Sequence, residues 1–195
     1  HNVTPTLVIT PSYVEEQTAI ELAERLINEY QEGTVGAGAL SNFYTYMQYL
    51  RKNNPQLYSQ LMQNPTIKEA MAIYNWAYKT FIAPYGGSVA LPGPSITPKQ
   101  ATLDTFRSDV ESAIKGGDYT KALALLKDAP SLGADPSWVV SEYTAIYTNA
   151  LKSGNTAVAE EAYAALSNYL KSNPGVSPSV AVNAYAGMYS DALKS

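Results

Sequence analysis

The chain has 195 residues, a net charge of −4 and no cysteine, and only 15% of its residues are charged. The absence of cysteine excludes disulfides, thiolate nucleophiles and cysteine-based metal sites. Residues 1–97 hold five basic and seven acidic side chains and residues 98–195 hold eight and ten, so the sequence has no basic arm suited to nucleic acid. No apolar stretch approaches the roughly 18 residues that a membrane span needs.

The chain combines its small share of charged residues with 16 tyrosines. The large apolar ring and polar tip of tyrosine suit protein interfaces, where aromatic residues are enriched. The alternative interpretations are that the tyrosines serve as core aromatics or reflect a compositional drift. The composition is similar to that of coat proteins of archaeal viruses from hot acidic springs.

Residues 1–11 are predicted to form an extended arm. Val, Thr and Ile alternate there with Pro5 and Pro11, and proline at these places opposes a helix. A lone strand would have little to pair with, so we expect the arm to lie on this subunit or on a neighbouring one.

Repeated helix-start signals predict an all-α protein of about nine helices, arranged as an antiparallel bundle or as stacked hairpins. A capping side chain followed by proline sets the first helical turn, and a capping box does the same. The capping pairs are Asn54-Pro55, Thr97-Pro98, Asp135-Pro136 and Ser177-Pro178, and the boxes run from Ser12 to Glu15 and from Thr66 to Glu69.

Residues 12–83 are predicted to form an N-terminal helical region. The expected helices span residues 13–32, 40–53, 55–63 and 66–82, the last with Tyr74, Tyr78 and Phe81 on its apolar face. The second helix has more aromatic surface than one buried stripe needs, so it is either buried on most sides or faces a partner. Its interface candidates are Phe43, Tyr44, Tyr46 and Tyr49.

Residues 84–97 are predicted to be a linker or a functional loop. The segment is rich in proline and glycine and is long for a connection within a compact domain. Leu91 and Ile96 are the interface candidates of this unusually apolar loop. Such a loop is expected to dock either on its own domain or on another chain.

Residues 98–195 are predicted to form a C-terminal region of helical hairpins. The expected helices span residues 98–115, 119–128, 136–153, 156–172 and 178–194, and the short connections make neighbours antiparallel. Tyr143 and Tyr147 lie one turn apart on the third of these helices. This spacing is typical of core packing, and the alternative is an interface or a stacking surface.

Two of the C-terminal turns share a sequence pattern that repeats after 37 residues. In each copy a helix ends on glycine, Gly117 or Gly154, and Asp118 or Asn155 caps the next helix. The turn resembles that of tetratricopeptide repeats over residues 106–174, although Asp109 stands where that family has leucine. The resemblance implies a groove that binds a peptide or a protein rather than a catalytic site.

No catalytic, cofactor or metal site is predicted. His1 is the one histidine, so the usual nucleophile and zinc sets cannot be assembled. Carboxylate pairs such as Glu21 with Glu24 lie on helix faces opposite the apolar stripes, which is typical of solvated charges. The glycines at 33, 36 and 38 lack the lysine and the preceding strand of a phosphate loop.

The sequence therefore favours a non-catalytic assembly protein that associates with itself or with a closely related subunit. A virion coat or an extracellular filament or surface subunit fits this composition best. A chain that starts at His1 is either processed or carries a tag residue, and natural processing would favour export. The alternative is a tetratricopeptide-like adaptor that binds a peptide or protein partner.

Overall fold

The computed structural model describes residues 9–85 and 93–195, and in this part of the chain the regular structure is entirely helical. The all-α prediction is confirmed. Residues 1–8 of the predicted arm lie outside the described residues, and the first helix begins at Pro11.

Ten α-helices follow one another in the described ranges, with a π-helix and a 3₁₀ turn after the fourth. They are α1 (Pro11–Glu32), α2 (Ala37–Asn53), α3 (Pro55–Leu61), α4 (Pro65–Ala77), the π-helix (Tyr78–Ile82), the 3₁₀ turn (Ala83–Tyr85), α5 (Pro98–Lys115), α6 (Tyr119–Leu126), α7 (Ala129–Leu132), α8 (Pro136–Lys152), α9 (Thr156–Ser172) and α10 (Pro178–Lys194).

The cap-and-proline pairs act at helix starts as predicted, with one difference. Asn54 Oδ1 accepts a hydrogen bond from the Leu57 N–H at 3.3 Å, and Asp135 Oδ1 accepts one from the Ser137 N–H at 3.0 Å. Ser177 makes no such bond at the start of α10, because its hydroxyl pairs with the Ser179 hydroxyl instead.

The fourth helix begins earlier and ends earlier than predicted. Asn64, not Thr66, is its capping residue, and Asn64 Oδ1 accepts from the backbone N–H groups of Thr66 and Ile67. The pair Asn64-Pro65 therefore outcompetes the capping box that starts at Thr66, since proline is already set for the first helical position. After Ala77 the helix widens into the π-helix.

The described residues divide into two compact units. The N-terminal unit is Ser12–Thr105, and the C-terminal unit contains Phe106–Ser195. The division falls inside α5 and not in the proline- and glycine-rich segment 84–97, for which the sequence predicts a linker or a functional loop.

The core of the N-terminal unit is built from α1 to α4 and the start of α5. Aromatic and aliphatic side chains with little or no exposed surface fill it, and hydrogen bonds tie its polar members. The Tyr46 hydroxyl and Thr102 Oγ1 lie 2.8 Å apart, for example. The largest enclosed side chains are Leu26, Phe43, Tyr46, Met47, Leu50 and Ile67.

The end of the apolar loop packs on its own unit. The Ser95 N–H donates to Asn42 Oδ1 at 3.0 Å, and Asn42 Nδ2 donates to the Ser95 hydroxyl at the same distance. Ile96 lies against the N-terminal core. Leu91 lies outside the described residues.

In the C-terminal unit, α9 and α10 both pack on α8, and α6 contacts α8 and α9. The two turns of the sequence repeat have the same backbone geometry. Gly117 and Gly154 adopt φ values of 79° and 77°, which a residue with a Cβ avoids. The following N–H, of Asp118 or of Asn155, bonds back to a carbonyl five residues earlier at 2.8 Å.

Candidate interaction surfaces

Three of the predicted interface residues are core residues of their own units. Phe43 is 0% exposed, Tyr46 is 1% exposed and Tyr143 is 3% exposed. For α2, the structure therefore corresponds to the first of the two alternatives: most of its aromatic surface is covered within the unit.

The remaining predicted residues are spread over different environments. Tyr44 is 37% exposed, whereas Tyr49 and Tyr147 are half-buried. Ile96 is half-buried on the N-terminal core, as described above. Of this group only Tyr44 presents a large exposed ring.

A set of exposed aromatic rings lies on the N-terminal unit and is called the aromatic surface below. Each ring keeps between 37% and 55% of its surface accessible, which is unusual for large aromatic side chains. Its members are Tyr30, Tyr44, Trp76, Tyr78 and Phe81.

The rings of the aromatic surface form two groups, and no ring contact within the described residues joins one group to the other. Trp76 contacts Tyr30 and Phe81 edge to face, with ring centroids 5.4 Å and 5.5 Å apart. Tyr74 stacks on Tyr44 at 4.4 Å with the planes 6° apart, and on Tyr78 at 6.4 Å. Mutual contact holds these rings in place without covering their outer faces.

The sequence pattern predicts that Tyr78 and Phe81 lie on the apolar face of a helix that continues to residue 82, and it assigns no role to Trp76. The difference arises at Tyr78, where α4 passes into the π-helix and the helical spacing that predicted a continuous stripe ends. The exposure of Trp76 could be recognised from the sequence, because this residue falls outside the apolar stripe of its helix.

Charge contributes little to holding the described residues together. Arg25 and Glu29, one turn apart on α1, form the one ion pair in residues 9–85 and 93–195, with a nitrogen-to-oxygen distance of 3.1 Å. Glu29 also accepts a hydrogen bond from the Gly36 N–H at 3.0 Å, which ties the end of α1 to the start of α2.

A second aromatic feature lies in the C-terminal unit. A hollow of about 360 Å³ is lined by four tyrosines, a methionine and an alanine from α8, α9 and α10. The rings of Tyr163 and Tyr185 are 5.6 Å apart, and the Tyr185 hydroxyl pairs with that of Ser167 at 3.0 Å. Tyr147, half-buried, is one of the lining residues, and Tyr189 is 68% exposed at its edge.

The next feature is the placement of acidic and potential metal-binding side chains in residues 9–85 and 93–195. No three His, Cys, Asp or Glu side chains of the described residues come together as a possible metal site. Glu21, one of the paired carboxylates, accepts a hydrogen bond from the Thr105 hydroxyl at 3.1 Å. This interaction ties α1 to α5 within the N-terminal unit.

None of the described helices combines the length and the apolar character needed to cross a bilayer. No protein-family model, no characterised protein sequence and no solved structure matches the chain.

Proposed function

We propose that this chain is a non-catalytic assembly protein whose N-terminal unit binds a second copy through the aromatic surface. The observation that carries the proposal is the exposure of connected rings on one folded unit, centred on Trp76 and Phe81, which are 44% and 55% exposed. Exposed apolar surface of this kind is typical of interaction sites.

A second copy is the favoured occupant because the aromatic surface can complement itself. Rings packed edge to face expose both ring faces and ring edges. The aromatic surface of another copy would supply edges to pack on these faces and faces to receive these edges. The few charges of the chain oppose such contact little, since the net charge is −4 over 195 residues.

Within this proposal, the chain is a virion coat subunit or an extracellular filament or surface subunit. The low charge and the 16 tyrosines support this class, because aromatic residues are enriched and charged residues are depleted at the centre of protein interfaces. The segment of residues 1–8 would act as an arm that reaches an adjacent subunit.

Size-exclusion chromatography with light scattering tests the proposal. At micromolar concentration the chain is expected to elute well above its monomer mass of 21.1 kDa. The double substitution Trp76→Gln and Phe81→Gln is expected to shift it toward the monomer, because two exposed rings are lost from the contact. A wild-type chain that stays monomeric would refute the proposal.

Tyr189→Gln is the matched control. It removes an even more exposed aromatic ring from the C-terminal unit and should leave the oligomer size unchanged. Helical circular dichroism must be preserved in both variants. If the control dissociates the oligomer and the Trp76 and Phe81 variant does not, the contact is not on the aromatic surface.

Deletion of residues 1–8 tests the arm. The deletion leaves α1 intact, since that helix begins at Pro11. The expected result is smaller assemblies with unchanged helical circular dichroism, and assemblies of unchanged size would remove the arm from the proposal.

A helical adaptor for a peptide or protein partner is the second candidate. It is supported by the matching turns at Gly117 and Gly154, followed in each copy by a small alanine, Ala122 or Ala159, that is at most 2% exposed. Small buried residues at this place allow the close helix approach on which tetratricopeptide-like hairpins depend. A stable monomer in the chromatography experiment would favour this candidate.

A further inference from the structure

A half-open groove of about 550 Å³ lies within the C-terminal unit, separate from the aromatic surface. Its volume falls in the range of pockets that bind small molecules. The walls come from α6, α7, α8 and α9, and the apolar lining residues are Leu123, Leu126, Pro130, Ala164 and Ala165.

The groove exists because α9 turns small side chains toward it. Ala164 and Ala165 lie on the same face of α9 as Asn168 and Tyr169, one turn further along. Larger residues at the two alanine positions would fill the space between α9 and α6.

Two tyrosine hydroxyls at the groove have no partner among the described residues. Tyr143 is 3% exposed and Tyr169 is 8% exposed, and both line the groove with ring centroids 6.0 Å apart. Both hydroxyl oxygens keep some accessible surface, since within the described residues the enclosed side-chain oxygens without a partner are those of Asp109 and Asp128. The protein therefore leaves both hydroxyls at the groove free to bond a molecule that occupies it.

Both hydroxyls are hydrogen-bond donors at neutral pH. Burial, reinforced by the nearby Tyr169, raises the pKa of Tyr143 to about 12. Burial and the negative charge of Asp135 raise the pKa of Tyr169. The phenols therefore keep their protons and can donate to an oxygen atom of a bound molecule.

The charges around the groove favour a neutral ligand. Lys127 and Glu161 at the lining carry opposite charges, and Asp135 adds a negative charge near Tyr169. An anion would meet two carboxylates and one ammonium group, and a cation would leave the tyrosine donors unused.

We infer that this groove binds an uncharged organic molecule that has a flat or aliphatic apolar body and a carbonyl, ether or hydroxyl oxygen. The apolar body lies against the leucine, proline and alanine walls, and the oxygen accepts hydrogen bonds from Tyr143 and Tyr169. The site is independent of self-association through the aromatic surface.

Nile red, an uncharged fluorescent dye with a flat ring body and a carbonyl oxygen, is the probe. Titration of the full chain is expected to show saturable binding with a blue-shifted emission. Tyr143→Phe should weaken the binding about fivefold, the effect of one lost hydrogen bond, and should not unfold the protein because that hydroxyl has no protein partner. Ala165→Trp should abolish binding by filling the groove.

Tyr163→Phe is the matched control, since this tyrosine lies on α9 outside the groove, is 48% exposed and packs on Tyr185. It should bind the dye like the wild type. Three results would overturn the inference. The first is that the dye shows no saturable binding, and the second is that Tyr143→Phe and Ala165→Trp both bind it as tightly as the wild type. The third is that binding is lost only in the Trp76→Gln and Phe81→Gln variant. The anionic dye anilinonaphthalene sulfonate should compete poorly, and equally strong competition would overturn the assignment of a neutral ligand.

Discussion

Neighbouring aromatic residues of this chain have opposite environments. On α2, Tyr46 is 1% exposed and hydrogen-bonded to Thr102, while Tyr44, two residues earlier, keeps 37% of its surface accessible and stacks on Tyr74. Successive helical positions differ by about 100° around the axis, so residues two apart point to different sides. Core and surface roles are therefore divided residue by residue within one aromatic helix.

Tyr46→Phe tests the buried hydrogen bond in the N-terminal unit. The substitution keeps the ring and removes the hydroxyl that lies 2.8 Å from Thr102 Oγ1. We expect the free energy of unfolding to fall by about 1 kcal/mol, measured by urea denaturation. Tyr49→Phe is the control, because its hydroxyl has no partner within the described residues, and it should change little. Equal effects of the two substitutions would contradict the prediction.

Asp128→Asn tests a half-buried carboxylate of the C-terminal unit. Asp128 Oδ2 is enclosed and has no hydrogen-bond partner in the described part of the chain, and burial raises the pKa of this carboxyl above its ordinary value of 3.8. The folded protein therefore binds its proton more tightly than the unfolded chain does. Asp128 lowers stability progressively as the pH rises above about 3.8, and this cost is absent in more acidic solution.

The asparagine variant is thus expected to melt at a higher temperature than the wild type at pH 7 and at the same temperature well below pH 4. Thermal unfolding followed by circular dichroism at several pH values measures the difference. Glu160→Gln, a change on an exposed face of α9, is the control and should show no such trend. A difference between Asp128→Asn and wild type that is independent of pH would be evidence against the buried charge.

At the scale of elements, the helix ends are specified locally. The turns after α5 and α8 place glycine in the left-handed region and reproduce each other's hydrogen bonds, 37 residues apart in the sequence. The same local chemistry does not determine how far α4 continues as an α-helix, because the transition to the π-helix at Tyr78 has no capping residue of its own.

Two glycine substitutions test two different positions. Gly154 follows a helix and has a left-handed backbone, whereas Gly187 lies inside α10. Gly154→Ala forces a Cβ into φ of 77° and should cost about 1 to 2 kcal/mol of unfolding free energy. Gly187→Ala in α10 meets no atom within 4 Å and should stabilise by about 0.5 to 1 kcal/mol, since alanine favours the helix. Denaturant unfolding measures both, and a loss of stability in both variants would contradict the assignment.

At the scale of the whole molecule, apolar contact outweighs charge. The described residues hold one ion pair, exposed on α1, while rings and aliphatic groups make up the aromatic surface and most of the lining of the groove at Tyr143 and of the hollow at Tyr185. Surface ion pairs of this kind contribute little to stability. Association through such surfaces is therefore governed by burial of apolar area.

The proposed self-association is accordingly expected to resist salt. Raising sodium chloride to about 1 M shortens the Debye length to roughly 3 Å and screens exposed charges, yet should not reduce the oligomer size. Ammonium sulfate should promote association, because it strengthens apolar burial. Light scattering across both salt series measures the response, and dissociation in sodium chloride would indicate an electrostatic interface instead.

The local chemistry of the sequence was sufficient for the helical class and for most helix starts. Asn54, Thr97 and Asp135 accept the expected backbone hydrogen bonds because capping depends only on residues two or three positions away. The pair Asn64-Pro65 carries the same signal, although the capping box beside it predicts a helix start two residues later. The hairpin turns at Gly117 and Gly154 were readable for the same reason.

Which aromatic residues are buried was decided by tertiary packing. Phe43, Tyr46 and Tyr143 are enclosed by side chains from helices distant in the sequence, and Trp76 and Phe81 are left outside where α4 widens. The groove at Tyr143 and Tyr169 likewise requires α6, α7, α8 and α9 to meet. Local hydrogen bonds can be read from a few residues, whereas burial is the sum of contacts from the entire unit, and only the folded arrangement supplies that sum.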